Sequence, residues 1–588
     1  MRRPPRRLSV AVLALSLTAL IATSCSDDTG SSTNTSDVVS KKACTPGKGD
    51  AVKLATGPVG TSGTPASAEV KEPTGVSRSG GAADTLVDLQ DLSAGEPDHI
   101  DPATADTVQG AQIPVLLYDT LTDTDYDGKT VPDVAEKWTV SDDGKSFVFT
   151  LKPNQQFANG EAITPTTFKK SWERALSPGL ASNVSYHMFP ITGAQDIVDG
   201  KTKELKGVTV DDAANTLTIN LDEPFADFPA VVGHPVFSPV PKAAYEAKDF
   251  KTYEQGAMVG NGPYTMTEAW KHNEEINLVR NDNFTAGTEK AKIKNLNFVI
   301  SKDQDAAYNA FQAGKGDTTY IPSGQFADST KKYKSITNLF DGIYKFEIGQ
   351  DNKCLGGPDN LKVRQAISLA LDRDRINKQV YNGSRLTASG LTPPGVEGFK
   401  SGLCDTCKYD PAKAKTLVKE WKDAGGHLNE AIKIGTNTGA GHEPVVSIMV
   451  ENLKAIGLPA KLDGLNPDTW TDDLRKAGGC QLCRSGWVWD YPIYDNVLSA
   501  QYMASGIDAD NWARVDSPEF DKAIKDARAT TDPAERANRY RQAEKLLMDN
   551  QYTVPVNWYR GNVLYDNRVQ GLRMSPLNFF SYEEATLS

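Results

Sequence analysis

The stretches "FVFTLK", residues 147–152, and "TLTINL", residues 216–221, alternate apolar and polar side chains. This alternation has the period of a β-strand that buries one face, so both stretches are predicted as strands. Helical patterns lie between and after such stretches. In "SPEFDKAIKDAR", residues 517–528, Ser517 is the predicted N-cap and Pro518 the first helical residue. Strands and helices that alternate over about 500 residues predict an α/β protein.

Two further segments carry the signature of a helix start. In "DPAERANRYRQAEKLL", residues 532–547, Asp532 is the predicted N-cap, and Glu535 follows three residues later as in a capping box. The segment "DPAKAKTLVKEW" begins in the same way at Asp410. Three apolar residues then recur at helical spacing and are predicted to lie in the core: Tyr540, Ala543 and Leu547.

Length and charge limit the class of protein. The chain has 588 residues, of which 39% are hydrophobic, so it can form more than one lobe. It carries 64 Lys and Arg against 76 Asp and Glu, a net charge of −12. This balance argues against nucleic-acid binding, which needs a basic surface. It mildly favours cationic or zwitterionic ligands, although a solvated acidic surface is the commoner reason for such a charge.

The N-terminus, "MRRPPRRLSVAVLALSLTALIATSC", resembles a bacterial lipoprotein signal. Four arginines precede an apolar run over residues 8–22, which is too short for an ordinary membrane-spanning helix. We therefore expect residues 1–24 to be a signal peptide and Cys25 to carry the lipid. The protein would then be extracytoplasmic and anchored to the outer face of the cell membrane. The alternative is an ordinary secretory signal with a coincidental cysteine.

The residues after Cys25 are rich in Ser, Thr, Gly, Pro and Asp, so residues 25–83 are predicted as a flexible tether. Six other cysteines are expected to form disulfides in an exported chain, with 15 connectivities open. A pair of Cys44 and Cys354 would hold part of the tether on the body. The six are Cys44, Cys354, Cys404, Cys407, Cys480 and Cys483.

Zinc or redox chemistry is the alternative for "CDTC" (404–407) and "CQLC" (480–483). However, 72 residues separate the two motifs, whereas zinc ribbons use about 15–20. A redox motif belongs at a helix N-terminus, and "CQLCRSGWVW" is instead typical of the beginning of a strand. The stretch "DTDYDGKTVPD", residues 123–133, starts like a calcium loop, but its twelfth position is Val134 rather than Glu. A turn between strands is predicted there, and neither a cofactor nor a metal is expected.

Several stretches together resemble one family. They begin with residues 116–176, "LLYDTLTDTD…SWERAL", and continue with "HPVFSPVPKAAYE" (234–246) and "NGPYTMTEAW" (261–270). They end with "RSGWVWDYP" (484–492) and "YTVPVNWYRG" (552–561). Their order and spacing resemble the bacterial extracellular solute-binding proteins of family 5, most closely the oligopeptide-binding members. The likeness covers roughly residues 86–582.

The resemblance implies a two-lobed fold of the type II, cluster C periplasmic binding proteins, with a hinge between the lobes. Lobe I is expected over 84–121, 259–345 and 561–588, with an accessory domain inserted over 122–258. Lobe II is expected over 346–560. Such proteins are monomers that deliver peptides to ABC permease subunits driven by cytoplasmic ATPases. They are not enzymes.

The resemblance also implies a peptide site. Asp490 follows Gly486-Trp487 and stands where the family binds the peptide α-ammonium group, which a carboxylate holds by charge-assisted hydrogen bonds. The backbone of Gly486, Trp487 and Val488 would pair with the extended peptide, and Trp489 would flank Asp490. Arg484 matches an arginine for the peptide carboxylate, and His442 a histidine for longer peptides. The remaining wall positions are Trp470, Tyr186 and the backbone from Gly110 to Gln112.

Two positions depart from the family pattern. Gly110 stands where well-known members have a glutamate for the ammonium group, which leaves Asp490 as the main anchor. Gly342 and Val488 replace a disulfide near the cleft. The family also contains binders of nickel complexes, haem and sugars, and these remain the alternative ligands. A redox or metal-dependent enzyme on this fold is a more distant alternative.

Overall fold

A computed structural model describes residues 44–62, 69–71, 82–91, 96–287, 290–301, 303–467 and 469–588. The predicted signal peptide, Cys25 and residues 26–43 lie outside the described residues. Among the described residues, no helix combines the length and apolarity that crossing a membrane requires.

The strands are β1 Thr61–Ser62, β2 Glu69–Lys71, β3 Thr85–Asp91, β4 Thr122–Thr124, β5 Thr130–Pro132, β6 Ala135–Val140, β7 Ser146–Leu151, β8 Val208–Asp211, β9 Thr216–Asn220, β10 Tyr264–Thr265, β11 Glu275–Arg280, β12 Asn295–Ser301, β13 Thr318–Tyr320, β14 Lys334–Ile348, β15 Leu386–Thr387, β16 Lys400–Ser401, β17 Ile432–Asn437, β18 Ala460–Leu465, β19 Leu482–Val488, β20 Thr553–Tyr565, β21 Val569–Gln570 and β22 Thr586–Leu587.

The α-helices are α1 Val108–Ala111, α2 Pro114–Leu117, α3 Pro165–Ala175, α4 Ala194–Val198, α5 Phe228–Val231, α6 Lys242–Tyr245, α7 Gln304–Gln312, α8 Phe326–Lys332, α9 Leu361–Ala370, α10 Arg373–Gln379, α11 Pro411–Asp423, α12 Glu443–Ala455, α13 Trp470–Arg475, α14 Asp495–Tyr502, α15 Pro518–Arg528 and α16 Pro533–Asp549.

The main sheet of the described chain has twelve strands and mixes parallel with antiparallel pairing. Its order is β10-β11-β12-β3-β13-β20-β14-β19-β17-β18, and β15 and β2 add to β20 and β14. β3 runs parallel to β12 and β13, and β17 runs parallel to β18 and β19. Helices cover the sheet, so the prediction of an α/β protein is confirmed.

The long strands β14 and β20 connect the two ends of this sheet. Their mutual register shifts between Leu339 and Ile343. Before this irregularity, β14 pairs with β2; from Gly342 onward it pairs with β19. A separate hydrophobic core lies on each side, one around β11 and β12 and the other around β17 and β19. The lobe boundaries predicted at residues 345 and 560 fall within these two strands.

A second sheet, in the order β6-β7-β9-β8, lies within residues 122–258. The stretches "FVFTLK" and "TLTINL" form β7 and β9, which pair antiparallel, so both strand predictions are confirmed. Phe147, Phe149, Leu217 and Ile219 point into one core and are fully buried. They alternate with more exposed residues, as a strand with one buried face requires.

The predicted helix starts are also confirmed. The Ser517 side chain accepts a hydrogen bond from the Phe520 backbone N–H, and Asp532 caps α16 through the backbone N–H of Glu535. Asp410 caps α11 in the same way. The Glu535 side chain accepts a hydrogen bond from Arg539 at 3.0 Å. The predicted core residues Tyr540, Ala543 and Leu547 are all buried.

Residues 44–62, within the predicted tether, are held on the folded body. A disulfide joins Cys44 to Cys354, and β1 pairs with β16. The Val52 backbone N–H donates to the Asn550 side chain at 2.8 Å. The composition of this segment is that of a linker, but the disulfide and these hydrogen bonds fix its position.

The other cysteines form two short disulfide loops, Cys404–Cys407 and Cys480–Cys483. All six cysteines predicted to be oxidised are therefore paired in the structure. The second loop immediately precedes and overlaps β19, so "CQLC" lies at the beginning of a strand, as predicted. Residues 123–133 form the β4–β5 hairpin, which confirms the predicted turn.

Candidate peptide-binding site

A cavity of about 1140 Å³ lies at the C-terminal end of β19. Trp487, Val488, Trp489 and Asp490 line it together with Tyr186. Other parts of its wall come from the β4–β5 hairpin and from the segment after β21. The structure thus brings five of the predicted site residues to one cavity, from segments that are far apart in sequence.

Asp490 is held by its neighbours in the loop after β19. The Asn496 Nδ2 group donates to the Asp490 carboxylate at 3.0 Å. The Trp487 indole N–H donates to Asn496 Oδ1 at 2.6 Å and so orients this amide. Burial raises the pKa of Asp490, whereas the hydrogen bond from Asn496 lowers it. The carboxylate is therefore oriented but only partly compensated, which suits a site for a cationic group.

The conformation of this loop depends on three local contacts. The Trp489 backbone N–H donates to the Asp341 carbonyl at 2.8 Å, and its indole N–H donates to the Ile493 carbonyl at 3.1 Å. A Cβ atom at Gly486 would lie 2.9 Å from the Tyr559 hydroxyl. The same Cβ atom would lie 3.1 Å from the Ile343 carbonyl oxygen of β14, so the Tyr559 side chain and β14 crowd this position and favour glycine in the "GWVWDY" stretch.

Two histidines lie next to Asp490. His187 belongs to a 3-10 turn, Ser185–Met188, and its ring centroid is 4.3 Å from that of His234. One ligand atom from each histidine and one from Asp490 all lie within 4.8 Å of one another. Both histidines are buried, and this burial lowers the pKa of each to about 3. Both imidazoles are therefore neutral at pH 7.

A second group of predicted residues lies around Tyr344. The Arg484 guanidinium lies 5.3 Å from the centre of the Tyr344 ring and 5.5 Å from that of Trp470. His442 directly precedes α12, and its ring centroid is 5.5 Å from that of Tyr344. Burial and the charge of Arg484 lower the pKa of His442 to about 4. Arg484, His442 and Trp470 are thus brought together, but they do not line the cavity at Asp490.

Gly110 and Gln112 lie in and directly after α1, and neither lines the cavity. A Cβ atom at Gly110 would lie 2.5 Å from the His99 carbonyl oxygen. A side chain at residue 110 therefore has no room unless the backbone moves. Gln112 is buried, and its Nε2 group has no hydrogen-bond partner among the described residues. Between these two residues, Ala111 does line the cavity.

The cavity wall is acidic, since eight carboxylates face two cationic side chains, Lys292 and Arg573. The carboxylates are Asp106, Asp119, Asp123, Asp125, Asp133, Asp490, Glu583 and Glu584. Burial and the charge of Asp123 raise the pKa of Asp133 to about 8, and burial raises that of Glu583 to about 7. These carboxyl groups are crowded enough to hold protons near neutral pH, which a cationic ligand would displace.

Reasoning from the sequence missed His187, His234 and Asn496. The chain has only six histidines. One directly follows Tyr186 and another begins "HPVFSPV", and their rarity could have marked them as candidates. Asn496 lies six residues after Asp490 and was within reach of a local argument. The contact of both histidines with Asp490 depends on the tertiary fold.

Comparisons with known proteins agree with this architecture. Residues 129–509 match the model for bacterial extracellular solute-binding proteins, family 5. The chain is 30% identical to the periplasmic oligopeptide-binding protein OppA of Salmonella typhimurium over 495 residues, which cover 81% of this chain and 88% of that protein.

The unliganded open form of the murein tripeptide-binding protein MppA is similar with a TM-score of 0.72 and 26% identity, over 88% of this chain and 99% of that one. OppA of Haemophilus influenzae in complex with the peptide RPPGFSPFR is similar with a TM-score of 0.67 and 25% identity, over 86% of this chain and 99% of that one. The two-lobed fold expected from the sequence is confirmed by these structures. The chain belongs to the bacterial extracellular solute-binding proteins of family 5, a family of binding proteins rather than enzymes.

Proposed function

We propose that this chain is the substrate-binding lipoprotein of an ABC importer, which captures extracellular oligopeptides and delivers them to a membrane permease. Membership of the family and the similarity to oligopeptide-binding proteins support this proposal. The observation that carries it is the position of Asp490, whose carboxylate lines the cavity directly after β19, a strand that keeps an unpaired edge over residues 484–488 in the described part of the chain.

Asp490 binds the α-ammonium group of the peptide. Its carboxylate is oriented by Asn496 at 3.0 Å, and no lysine or arginine is hydrogen-bonded to it among the described residues. An ammonium group that enters the cavity would gain charge-assisted hydrogen bonds there. Trp487 and Trp489 on the same wall reduce the water around the pair, which strengthens the electrostatic attraction.

The peptide backbone pairs with β19. On one side, β19 is bonded to β14 as far as Val488. On the other side, within the described residues, β17 pairs with it only through Leu482 and Cys483. Residues 484–488 therefore have no strand partner on that side. Their backbone groups can bind an extended peptide whatever its side chains are.

The acidity of the cavity favours peptides with cationic side chains. Eight acidic side chains face Lys292 and Arg573, and those that hold a proton near neutral pH can release it to a cationic ligand, so the wall attracts lysine and arginine side chains without contacts specific to one residue. The peptide carboxylate would lie towards Arg484, with His442 and Trp470 around it. These three side chains surround Tyr344 apart from the cavity itself, as the two ends of a zwitterionic ligand require.

Membrane attachment through lipid on Cys25 and delivery to permease subunits complete the proposal. The lipoprotein-like signal in residues 1–25 supports the anchor. A diacylglyceryl group supplies two acyl chains, and two chains give stable anchoring where one is marginal.

Ligands that co-purify with the native protein test the proposal directly. Mass spectrometry of the extract should identify peptides with free N-termini, and those peptides should bind the ligand-free protein in calorimetry without being cleaved. The same extract from Asp490→Asn should contain far less peptide. A non-peptide ligand, or turnover of the bound peptide, would refute the proposal.

A further inference from the structure

The histidine pair beside Asp490 has a geometry that peptide binding does not use. We propose that His187, His234 and Asp490 form a site for one divalent transition-metal ion of the zinc, nickel or copper class. One nitrogen of each imidazole and one oxygen of Asp490 would be the ligands. The inference goes beyond the proposed function, because the ion would bind to the protein alone, without a peptide.

The set of donors matches this class of metal. Two imidazole nitrogens with one carboxylate are typical of zinc sites that keep an open position, and imidazole also suits nickel and copper. Calcium and magnesium prefer oxygen ligands and are not expected here. The three ligand atoms lie within 4.8 Å of one another. Bonds of about 2.0–2.2 Å to one ion need these atoms closer together, so the three side chains would have to rotate towards one another on binding.

His187 gives a second and independent indication of a ligand. It is only 3% exposed, and neither of its ring nitrogens has a hydrogen-bond partner among the described residues. Buried polar groups in proteins are nearly always paired. The ring lies against Tyr186, with centroids 4.0 Å apart, and these aromatic contacts do not satisfy its nitrogens. A metal ion between His187 and Asp490 would.

The ring of His234 must change one hydrogen bond to take part. Its Nδ1 atom accepts from the Val236 backbone N–H at 3.2 Å, so in the metal-free protein the hydrogen of the neutral ring lies on Nε2. Coordination through Nε2 would move this hydrogen to Nδ1, and coordination through Nδ1 would displace the N–H of Val236. Either way one long hydrogen bond is lost, which lowers the metal affinity by about tenfold and does not prevent binding.

The open coordination position would face the ligand cavity. His234 and Asp490 both line the cavity, so a water molecule or a donor atom of a bound molecule can complete the coordination. The metal would share Asp490 with the proposed α-ammonium site. Metal and the ammonium group of a peptide should therefore compete for the same carboxylate, whereas a neutral amine could bind to the metal.

Titration of the full chain with zinc and nickel ions tests the site. The protein is first stripped of metal with a chelator and of peptide by reversible unfolding, and binding is then measured by calorimetry. We expect one ion per chain. Replacing a ligand should cost more than the 10–100-fold loss typical of second-shell changes, so His187→Ala and His234→Ala should each weaken binding by at least about 100-fold.

His272→Ala is the matched control. His272 is an exposed histidine that pairs with Glu96 at 3.2 Å, so its removal should leave the affinity unchanged. The electron paramagnetic resonance spectrum of the Cu²⁺-loaded wild-type protein should show two nitrogen ligands, which keeps the test valid if a variant does not fold. Lack of saturable binding would overturn the inference, and so would His187→Ala and His234→Ala variants that bind as tightly as His272→Ala.

Peptide binding in the presence of the chelator separates this inference from the proposed function. His187→Gln should bind peptide in the chelator and fail to bind metal. A protein that binds metal at these residues but no peptide would refute the proposed function and leave the metal site standing.

Discussion

Replacing Asp490 by asparagine removes one negative charge from the cavity and keeps the size of the side chain. The hydrogen bond from Asn496 Nδ2, 3.0 Å long, can be kept, because the amide oxygen of asparagine accepts in its place. The backbone after β19 should therefore stay in position, held also by the bond from the Trp489 N–H to Asp341. What changes is the charge that meets the peptide ammonium group.

The expected loss follows from the burial of the carboxylate. Truncating one partner of a buried, hydrogen-bonded charge pair costs about 2–5 kcal/mol, whereas an exposed pair contributes about 0–1 kcal/mol. Asp490 is half-buried in the cavity and would become more buried when a peptide covers it. We therefore expect a loss of about 2–4 kcal/mol, or about 30- to 800-fold in Kd.

Calorimetry on four combinations distinguishes this role from a structural one. Wild type and Asp490→Asn are each titrated with a free peptide and with its N-acetylated form. Acetylation should weaken binding to the wild type by a similar factor, and weaken binding to the variant much less, because the same interaction is lost. Additive losses, or full affinity of the wild type for acetylated peptide, would show that the ammonium group binds elsewhere.

Three further predictions concern the anchor, the disulfides and the cavity charge. Cys25→Ser should move the protein from the membrane to the soluble or unprocessed fraction, as seen by immunoblotting; an unchanged membrane fraction would contradict lipidation. Cys44→Ser, which opens a bridge across 310 residues, should lower the free energy of unfolding by about 5–6 kcal/mol, and Cys404→Ser, across 3 residues, by about 2 kcal/mol; equal losses in denaturant titration would contradict this chain-entropy argument. Between pH 6 and 9 the ionisation of Asp133, with its pKa near 8, should increase the affinity for a lysine peptide relative to its glutamine analogue, and Asp133→Asn should flatten that ratio; an unchanged ratio in the wild type would exclude the effect.

Asp133 also makes the free energy of unfolding depend on pH. Asp133 has a folded-state pKa of about 8, above its value of about 3.9 in an unfolded chain. The folded protein therefore binds this proton more tightly than the unfolded chain does, and the resulting stabilisation is greatest at low pH. It is lost as the pH rises from about 4 through 8. Glu583, with a pKa raised to about 7, acts in the same direction.

Local patterns in the sequence were sufficient to predict many elements of the fold. The alternation in β7 and β9 and the caps Ser517 and Asp532 depend on residues within one element, and each was predicted correctly. The position of residues 44–62 was not predictable from composition, because a segment rich in glycine and small polar residues resembles a linker. Its attachment depends on Cys354, whose partner the sequence left open among 15 connectivities.

The candidate site shows the same division between local and distant information. Asp490 was predicted from the resemblance of the "GWVWDY" stretch to the family, and Asn496, which orients it, lies only six positions away. His187 and His234 precede it by about 300 and about 250 residues and meet it only because the segment over 122–258 packs against the loop after β19. Periodicity and spacing in the sequence give no information about such a long-range contact, so neither histidine was predicted.

The departure from the family pattern at Gly110 has a physical explanation. At Gly110 a Cβ atom would lie 2.5 Å from the His99 carbonyl oxygen, so a second carboxylate cannot enter from this position without moving the backbone. The negative charge is instead distributed over the cavity wall, where eight carboxylates face two cations. A single oriented carboxylate fixes one end of a ligand, and a diffuse acidic wall attracts cationic side chains at many distances. We therefore expect affinity to follow the net positive charge of the peptide more closely than its length, and titration of equal-length peptides that differ only in lysine content would show a flat series if this reasoning is wrong.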